Sequence, residues 1–294
     1  MVAAPGSYAL VTPARNEAEH IRETCESVKA QKLKPLRWIV VDDGSTDGTA
    51  DIVRKYQRQM AFLRVIERLD RGYDAVGGGV VEAFYTGLRE LDVGTSYIGK
   101  LDADITLDSD YYEQLIALMD VKENLGIASG QNYVRDSNGS LRIERRLPFH
   151  PVGGARLYRT HVFQEIGGLV KAAGWDTLDI VRTRMRGYDT RNYDDLRVVH
   201  LRALGTRGAL RDGVLRRGRS AYLLGYSKLY FAARVGYFAL TQRPRPLHAW
   251  WLLRGYLEVA LKHEPPIASK AEREWLRHYQ LRRLARLNRE PLQQ

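Results

Sequence analysis

The sequence predicts an α/β protein, in which an open and mostly parallel sheet is flanked by helices and followed by a helical extension. Two observations lead to this prediction. Over residues 8–101, apolar runs typical of buried strands alternate with segments of helical periodicity. Beyond residue 205 the strand signals stop, and the sequence becomes helical, aromatic and basic. We therefore expect residues 1–204 to form an α/β domain and residues 205–294 to form a basic, amphipathic helical region.

The first part of the chain gives the order of strands and helices. Strands are predicted at residues 8–13, 36–41, 63–67 and 97–101, with helices at 17–31, 50–60 and 80–91 between them. Pro13 ends the first strand and Lys34-Pro35 ends the first helix, because proline lacks a backbone N–H. Alternation at this spacing favours parallel pairing through right-handed crossovers.

From residue 126 the pattern changes. Residues 126–134 and 141–145, separated by Asp136-Ser137-Asn138-Gly139, are typical of a β-hairpin. A helix is predicted at 176–186, where Gly187 ends it, and a last strand at 196–201. The run Gly77-Gly78-Gly79 fits no phosphate-binding pattern, so a loop that needs positive φ explains it better.

Composition limits the classes of protein that the chain can belong to. The net charge of +11 is concentrated in residues 201–294, which carry 19 Lys and Arg against 6 Asp and Glu. Such a basic region attracts phosphate groups, whether of nucleic acid or of anionic lipid. The single cysteine, Cys25, excludes an internal disulfide and a cysteine-rich metal site. The amino-terminal residues lack the pattern of a secretory signal, which predicts a cytoplasmic location.

Two short acidic segments carry the functional prediction. Asp42 and Asp43 directly follow the second strand, whereas Asp102 and Asp104 follow the fourth. Ligands bind outside the carboxyl ends of strands in open α/β sheets. Asp102 and Asp104 are two residues apart, so in extended backbone both point to one side. Two hard oxygen donors suit a divalent cation that carries phosphate oxygens, although a solvated turn at a strand end would look the same.

At these residues the chain resembles the family 2 glycosyltransferases of the GT-A fold. The resemblance extends over roughly residues 8–202 and rests on four motifs in the correct order. They are Thr12-Pro13-Ala14-Arg15-Asn16-Glu17, the segment 41–49 with Asp42-Asp43-Gly44-Ser45, Leu101-Asp102-Ala103-Asp104, and Gly167-Gly168-Leu169 followed by Trp175-Asp176 and Arg186-Gly187-Tyr188. One Asp-x-Asp alone is a weak signal, but four ordered motifs are a specific one.

The resemblance implies a metal-dependent, inverting glycosyltransferase that moves one sugar from a nucleoside-diphosphate sugar to a hydroxyl acceptor in glycan or polysaccharide assembly. It implies Mn²⁺ or Mg²⁺ held by Asp102, Asp104 and His200, with Asp104 the more direct ligand and Asp102 closer to the ribose or the metal. Asp176 would be the catalytic base. The residues assigned to the donor are Pro13, Ala14, Arg15, Glu17, Asp43, Arg71, Lys100, Asp102 and Ala103.

Each of these roles has a structural alternative. His200 could be a strand-end histidine bonded to backbone, and Asp43 could cap the following helix, a role we assign instead to Asp47. Asp176 could simply compensate the charge of a helix amino terminus, and Asp179, one turn further, could orient a substrate or replace it.

Two departures from the family pattern affect the prediction. The acidic pair usual at the base position reads Trp175-Asp176 in this chain. The Gln-x-x-Arg-Trp signature of processive polysaccharide synthases is absent, which indicates that one sugar is added per encounter.

The basic region adds an expectation about location. Residues 221–240 and 250–257 combine aromatic side chains with arginine, and residues 273–289 read as a basic amphipathic helix. Such helices suit the membrane interface, so we expect a peripheral protein on the cytoplasmic face of the membrane with a lipid-linked acceptor. Alternatively, these helices only pack on the catalytic domain. The catalytic motifs make a nucleic acid partner unnecessary.

Two other functions compete with sugar transfer. A nucleotidyltransferase acting on sugar phosphates also couples an α/β sheet to a metal and a diphosphate, but residues 12–17 lack its glycine- and lysine-rich loop. A membrane-surface binding protein whose catalytic motifs have decayed is the other alternative. The intact residues Asp43, Asp102, Asp104 and Asp176 argue against decay.

Overall fold

The computed structural model describes residues 4–70, 78–135, 139–144, 147–201 and 210–285. The described strands are β1 (Ala4–Ala14), β2 (Arg37–Asp42), β3 (Leu63–Glu67), β4 (Thr95–Leu101), β5 (Ile105–Leu107), β6 (Leu125–Arg135), β7 (Leu141–Ile143), β8 (Ala155–Arg159) and β9 (Asp189–His200). The described helices are α1 (Ile21–Lys29), α2 (Thr49–Gln57), α3 (Gly78–Arg89), α4 (Tyr111–Val121), α5 (Thr160–Glu165), α6 (Trp175–Met185), α7 (Leu210–Leu223), α8 (Lys228–Thr241), α9 (Leu247–Leu261) and α10 (Lys270–Leu284).

The described strands form one mixed sheet in the order β3-β2-β1-β4-β8-β6-β9-β5, with β7 attached to β6. The first four strands pair in parallel, which confirms the predicted α/β fold. The chain runs outward from β1 to β2 and β3 and then returns to place β4 on the other side of β1. The gap between the loops after β1 and β4 is therefore the topological switch point, where such sheets bind ligands.

The second half of the sheet is largely antiparallel. Strand β8 pairs antiparallel with β4 and β6, whereas β6 and β9 run in parallel. The predicted hairpin is confirmed, since β6 and β7 pair antiparallel. Neither the three-residue strand β5 nor β8 was predicted from the sequence. Strand β9 begins at Asp189, well before the predicted residue 196, because its polar first half pairs with β6 and so needs no apolar run.

The predicted end of β1 at Pro13 is wrong by one residue. The strand continues to Ala14 through pairs Pro13↔Val41 and Ala14↔Asp42 with β2. On its other side β1 pairs with β4 only as far as Val11. A proline at position 13 is tolerated because pairing with that neighbour has already ended.

Helices cover both faces of the parallel strands. One face packs Leu10, Trp38 and Val40 against α1, α2 and α4, with Cys25 of α1 buried among them. On the opposite face α3 lies close to the sheet, and Gly87 abuts Val11 and Val41.

The described residues divide into two compact units, 1–171 with 186–203 and 172–185 with 204–294. Helix α6 thus belongs to the second unit, although the predicted division at residue 204 assigned it to the α/β domain. Its place there follows from local contacts: the Arg182 Nε donates to Glu272 Oε1 of α10 at 2.6 Å. Close contact with Leu224 at Gly174 adds to this packing.

In the second unit, helices α7 and α9 pack main chain against main chain. A β-carbon on Gly218 would stand 2.1 Å from the Leu252 carbonyl oxygen, and one on Gly255 would stand 2.1 Å from that of Leu215. Only glycine allows this approach at both positions. The predicted segment 221–240 is divided between α7 and α8 at Gly225, whose φ is +67°. Among the described helices, none has both the length and the apolar character needed to cross a bilayer.

A capping box begins α10. The Ser269 hydroxyl accepts from the Glu272 N–H, and the Ser269 N–H donates to Glu272 Oε2 at 2.6 Å. Burial acts to raise the pKa of Glu272, but hydrogen bonds from Ser269 and Arg182 outweigh it and leave that pKa below its usual value. The ionised carboxylate therefore stabilises the fold.

We expect Glu272→Gln to lower the free energy of unfolding by about 2 kcal/mol at neutral pH, because charge-assisted hydrogen bonds are lost. A lowered folded-state pKa contributes stability above the unfolded value of 4.5 and loses it as the pH falls through the folded value. Urea unfolding should therefore show the two proteins converging below that pH. Glu274→Gln, an exposed change on the same helix, is the control. Equal losses in both variants would contradict the assignment.

Candidate functional site

The two acidic segments meet at one edge of the sheet, as predicted. Strand β1 lies between β2 and β4, with Ala14 paired to Asp42 on one side and Val11 paired to Lys100 on the other. Because all three strands are parallel, the loops that follow them leave the same edge. This rim is the candidate site.

The backbone of residues 102–104 is fixed by three hydrogen bonds from distant parts of the chain. The Asp102 N–H donates to the Gly154 carbonyl at 2.7 Å, and the Thr24 hydroxyl donates to the Ala103 carbonyl at 2.8 Å. The Leu201 N–H donates to the Asp104 carbonyl at 2.9 Å. The loop that carries both carboxylates is consequently held in place by its main chain.

A buried lysine holds the first carboxylate of this loop. The Lys100 Nζ donates to Asp102 Oδ1 and, at 3.3 Å, to the Gly153 carbonyl. The Lys100 side chain is 1% exposed, whereas that of Asp102 is 34% exposed. The ammonium thus fixes one carboxylate oxygen from inside, while Asp102 remains accessible to a ligand.

A second cation lies beside Lys100. Arg156 on β8 is its register partner, is equally buried, and donates through Nη2 to the Pro151 carbonyl at 2.6 Å. Two buried positive charges on neighbouring strands make this part of the rim favourable for an anion.

The chemistry of the loop fits Mn²⁺ or Mg²⁺ in part. A β-carbon on Gly154 would stand 2.8 Å from Asp102 Oδ2 and 3.2 Å from His200 Cε1, so glycine leaves space between these side chains. Within the described residues, however, no three histidine, cysteine or carboxylate side chains form a ready metal cluster. The carboxylates of Asp102 and Asp104 suit either ion when phosphate oxygens complete the shell. The role of His200, buried at the end of β9, stays a prediction.

The predicted donor-binding residues also gather at this rim, beside β2. Arg15 Nη1 donates to the Asp43 carbonyl at 2.7 Å, and its Nη2 binds Asp70 Oδ1 at 2.7 Å. The Asp43 carboxylate is nearly buried and lies 3.0 Å from Arg68 Nη1. Asp43 thus has a fixed position at the end of β2.

Hydrogen bonds from backbone N–H groups to side-chain oxygens join the loops after β1 and β2. Asn16 adopts a φ of +53°, donates its N–H to Ser45 Oγ and accepts from the Thr46 N–H. The Glu17 N–H donates to the Thr49 hydroxyl at 2.8 Å. A residue other than glycine is held in this strained region because bonds on both sides fix it.

The neighbouring aspartates have structural roles. Asp47 accepts from the N–H groups of Ala18 and Thr49, and these bonds with that of the Thr49 hydroxyl outweigh desolvation and lower its pKa. Asp47 therefore bonds the first residue of α2 from one position outside the N-cap, which is Gly48 and not the predicted Asp47. Desolvation raises the pKa of Asp42, although its Oδ2 accepts from the Ser45 N–H at 3.2 Å.

The predicted base lies in the second unit. Asp176 occupies the first turn of α6 and is partly exposed. Burial of the Tyr226 phenol raises the pKa of that tyrosine, and the charge of Asp176 raises it further. Asp179 is buried and accepts from the Ile180 N–H at 2.6 Å, which is unfavourable for contact with a substrate.

Arg71, predicted to contact the donor, and Gly77, of the predicted glycine-rich loop, lie outside the described residues.

Some residues that hold the site could not be predicted from motifs. Arg68, which holds Asp43, directly follows β3, so a charge at the end of a third strand was an available signal. Thr24 acts through its hydroxyl and Gly154 through its carbonyl, and neither belongs to a motif.

A family model described as glycosyl transferase family 2 matches residues 9–173, which is more than half of the chain. Curated relatives include the poly-beta-1,6-N-acetyl-D-glucosamine synthases of Staphylococcus aureus and Staphylococcus epidermidis, 29% and 28% identical over 127 residues. The aligned part covers 43% of this chain, and the chain spans only 28% of the length of these relatives.

Solved structures confirm the fold. PcManGT, a mannosyltransferase from Pyrobaculum calidifontis in complex with GDP-Man and Mn²⁺, matches with a TM-score of 0.58 and 18% identity over 98% of this chain and 90% of its own. TarS 1-349 from Staphylococcus aureus in complex with UDP-GlcNAc matches with a TM-score of 0.53 and 15% identity over 92% and 78%. The likeness is that of GT-A transferases.

We expect Lys100→Met to weaken Mn²⁺-dependent binding of UDP or GDP about tenfold, because Asp102 loses the ammonium that orients it. Calorimetric titration with each nucleotide measures the effect. Lys32→Met is the matched control, since Lys32 also pairs with an aspartate, Asp110, but at an exposed position. Unchanged affinity in a variant with a lowered melting temperature would show that Lys100 serves the fold alone.

Proposed function

This chain belongs to glycosyl transferase family 2, and we propose that it transfers one sugar per encounter from a nucleoside-diphosphate sugar to a hydroxyl acceptor, with inversion. The observation that carries the proposal is the loop of residues 102–104. Its two carboxylates leave the sheet at the switch point between β1 and β4, and its main chain is fixed from three sides. Family membership makes the chain a glycosyltransferase; the donor, the acceptor and the residue roles are proposals.

The nucleoside would lie over the ends of β1 and β2. Asp43, held by Arg68, would accept a hydrogen bond from the base. Pro13, Ala14, Arg15 and Glu17 would form the wall of this pocket, in which Glu17 is buried and its N–H is fixed by Thr49. Arg71 would contact the diphosphate.

The diphosphate would lie over residues 100–104. Asp102 and Asp104 would hold Mn²⁺ or Mg²⁺ together with the phosphate oxygens, with His200 as a further ligand. A bound divalent ion neutralises the charge that develops on the departing diphosphate. Lys100 would keep Asp102 in place, and Ala103 would leave room for the donor.

Inversion requires attack from the face opposite the leaving diphosphate. Asp176 would take the proton of the acceptor hydroxyl as its oxygen forms the new bond to the anomeric carbon. The bond between that carbon and the diphosphate oxygen breaks in the same step. The partly exposed position of Asp176 in the first turn of α6 supports its role over that of the buried Asp179.

Polysaccharide assembly is the process in which we place this reaction. The names of the Staphylococcus synthases and the basic carboxyl-terminal region support it. A lipid-linked acceptor presented at the cytoplasmic face of the membrane would suit a peripheral enzyme. Family membership favours sugar transfer over the competing nucleotidyl transfer. The acidic residues of the rim, all present, oppose a decayed binding protein.

We expect Asp104→Ala to lower the rate of sugar transfer about 1000-fold, because charge on the departing diphosphate is no longer neutralised through this residue. Donor hydrolysis and transfer measured across UDP- and GDP-sugars, with Mn²⁺ or Mg²⁺, report the effect. Asp108→Ala is the control, because this nearby aspartate pairs with Arg197 at 2.9 Å, outside the proposed site. Near-normal turnover in the Asp104 variant would refute the proposal.

Asp176→Asn should lower the rate about 100- to 10,000-fold while leaving nucleotide affinity unchanged, because the amide cannot take the proton. Asp212→Asn tests the alternative of helix charge compensation, since Asp212 occupies the first turn of α7 as Asp176 does that of α6. Steady-state kinetics and nucleotide titration separate the two. Similar small losses in both variants would assign Asp176 to the helix alone.

A further inference from the structure

Helices α8 and α9 form an antiparallel hairpin, which we call the α8–α9 hairpin (residues 228–261). Phe231 stacks on Tyr256 with ring centroids 4.4 Å apart, and Phe238 meets His248 edge to face at 5.3 Å. Along α8 the residue numbers of these pairs rise while their partners on α9 fall, so the two helices are antiparallel and pack through these rings. The other faces of both helices take no part in this contact.

One outward stripe of α8 is apolar. Leu229, Ala233, Gly236 and Leu240 follow the spacing of one helix face, and all four are exposed. Leu240 is 73% exposed. Phe231 is the one residue of α8 that is fully buried. A helix of this kind leaves most of its apolar surface in water unless something covers it.

Helix α9 carries a similar outward stripe. Its buried side contains His248, Leu252, Gly255 and Val259. Trp250, Leu257 and Leu261 lie on the opposite side together with Arg254, and Trp250 is 54% exposed. Trp and Leu beside Arg are the composition of helices that lie at a membrane interface.

The charge of the hairpin is strongly positive. It contains five basic residues and one acidic residue, Glu258. Glu258 binds Arg254 at 3.0 Å and Arg219 of α7 at 2.7 Å, so its charge is neutralised within the protein. At the turn, Arg243 and Arg245 are both exposed on either side of Pro244. Two exposed guanidinium groups this close together suit phosphate headgroups.

We propose that the α8–α9 hairpin docks on the surface of an anionic lipid bilayer, with its apolar stripes among the acyl chains and Arg243 and Arg245 at the phosphates. The charge decides between this occupant and a second copy of the chain, since two surfaces of equal positive charge repel each other. Docking rests on the peripheral location proposed above and assigns it to one hairpin; docking and sugar transfer can each fail without the other.

The test is sedimentation of the full chain with vesicles of phosphatidylcholine alone or mixed with phosphatidylglycerol. We expect binding to the mixed vesicles only, and its loss at high salt. Arg243→Gln with Arg245→Gln should weaken binding about 25-fold, from about fivefold per arginine. Leu240→Ser with Trp250→Ser should weaken it at least about tenfold.

Leu118→Ser with Val121→Ser is the matched control, because these are exposed apolar residues of α4. It should bind as the unaltered protein does. Absence of binding to mixed vesicles, or equal binding by all variants, would overturn the proposal. The proposal would also be overturned if light scattering shows that the unaltered protein is a dimer and that the Leu240→Ser, Trp250→Ser variant is a monomer. Donor hydrolysis without vesicles should be unchanged in every variant; its absence in the unaltered protein would count against sugar transfer and leave docking intact.

Discussion

The candidate site depends on the main chain of residues 102–104 being fixed before any ligand arrives. Thr24, Gly154 and Leu201 each bond one residue of this loop, and they come from three separate parts of the sequence. The conformational entropy of the loop is therefore lost during folding rather than on binding. The buried ammonium of Lys100 extends the same constraint to the Asp102 side chain. Two carboxylates and two buried cations then share a narrow edge of the sheet, which is an arrangement suited to a charged diphosphate.

The parts of the site that the sequence predicts are those encoded locally. Asp43 and Asp102 each follow an apolar run directly, so their position at a strand end can be inferred from neighbouring residues alone. The parallel order of the first four strands follows from the spacing of strands and helices. Asp47 could be placed beside the start of α2 because turn residues beside a helix start have a characteristic composition, although the N-cap itself is Gly48.

The remainder depends on contacts between distant residues. Arg68 holds Asp43, and Gly154 leaves space beside Asp102, yet neither belongs to a motif. The polar half of β9 is a strand because β6 offers it hydrogen bonds, which no periodicity could indicate. Helix α6 groups with the second unit because of Arg182 and Glu272, which are far apart in the sequence. Tertiary pairing decided these features, and local propensity did not.

Gly218 of α7 and Gly255 of α9 let the main chains of these helices touch, so α9 is held differently from α8. Helix α9 is locked to α7 by contact between main chains, which tolerates no sliding. Helix α8 meets α9 through side chains instead, with Phe231 stacked on Tyr256 and Phe238 against His248. A larger residue at Gly218 or Gly255 would therefore force two backbones apart, whereas a smaller residue at Phe231 would leave a gap and keep the spacing of the main chains.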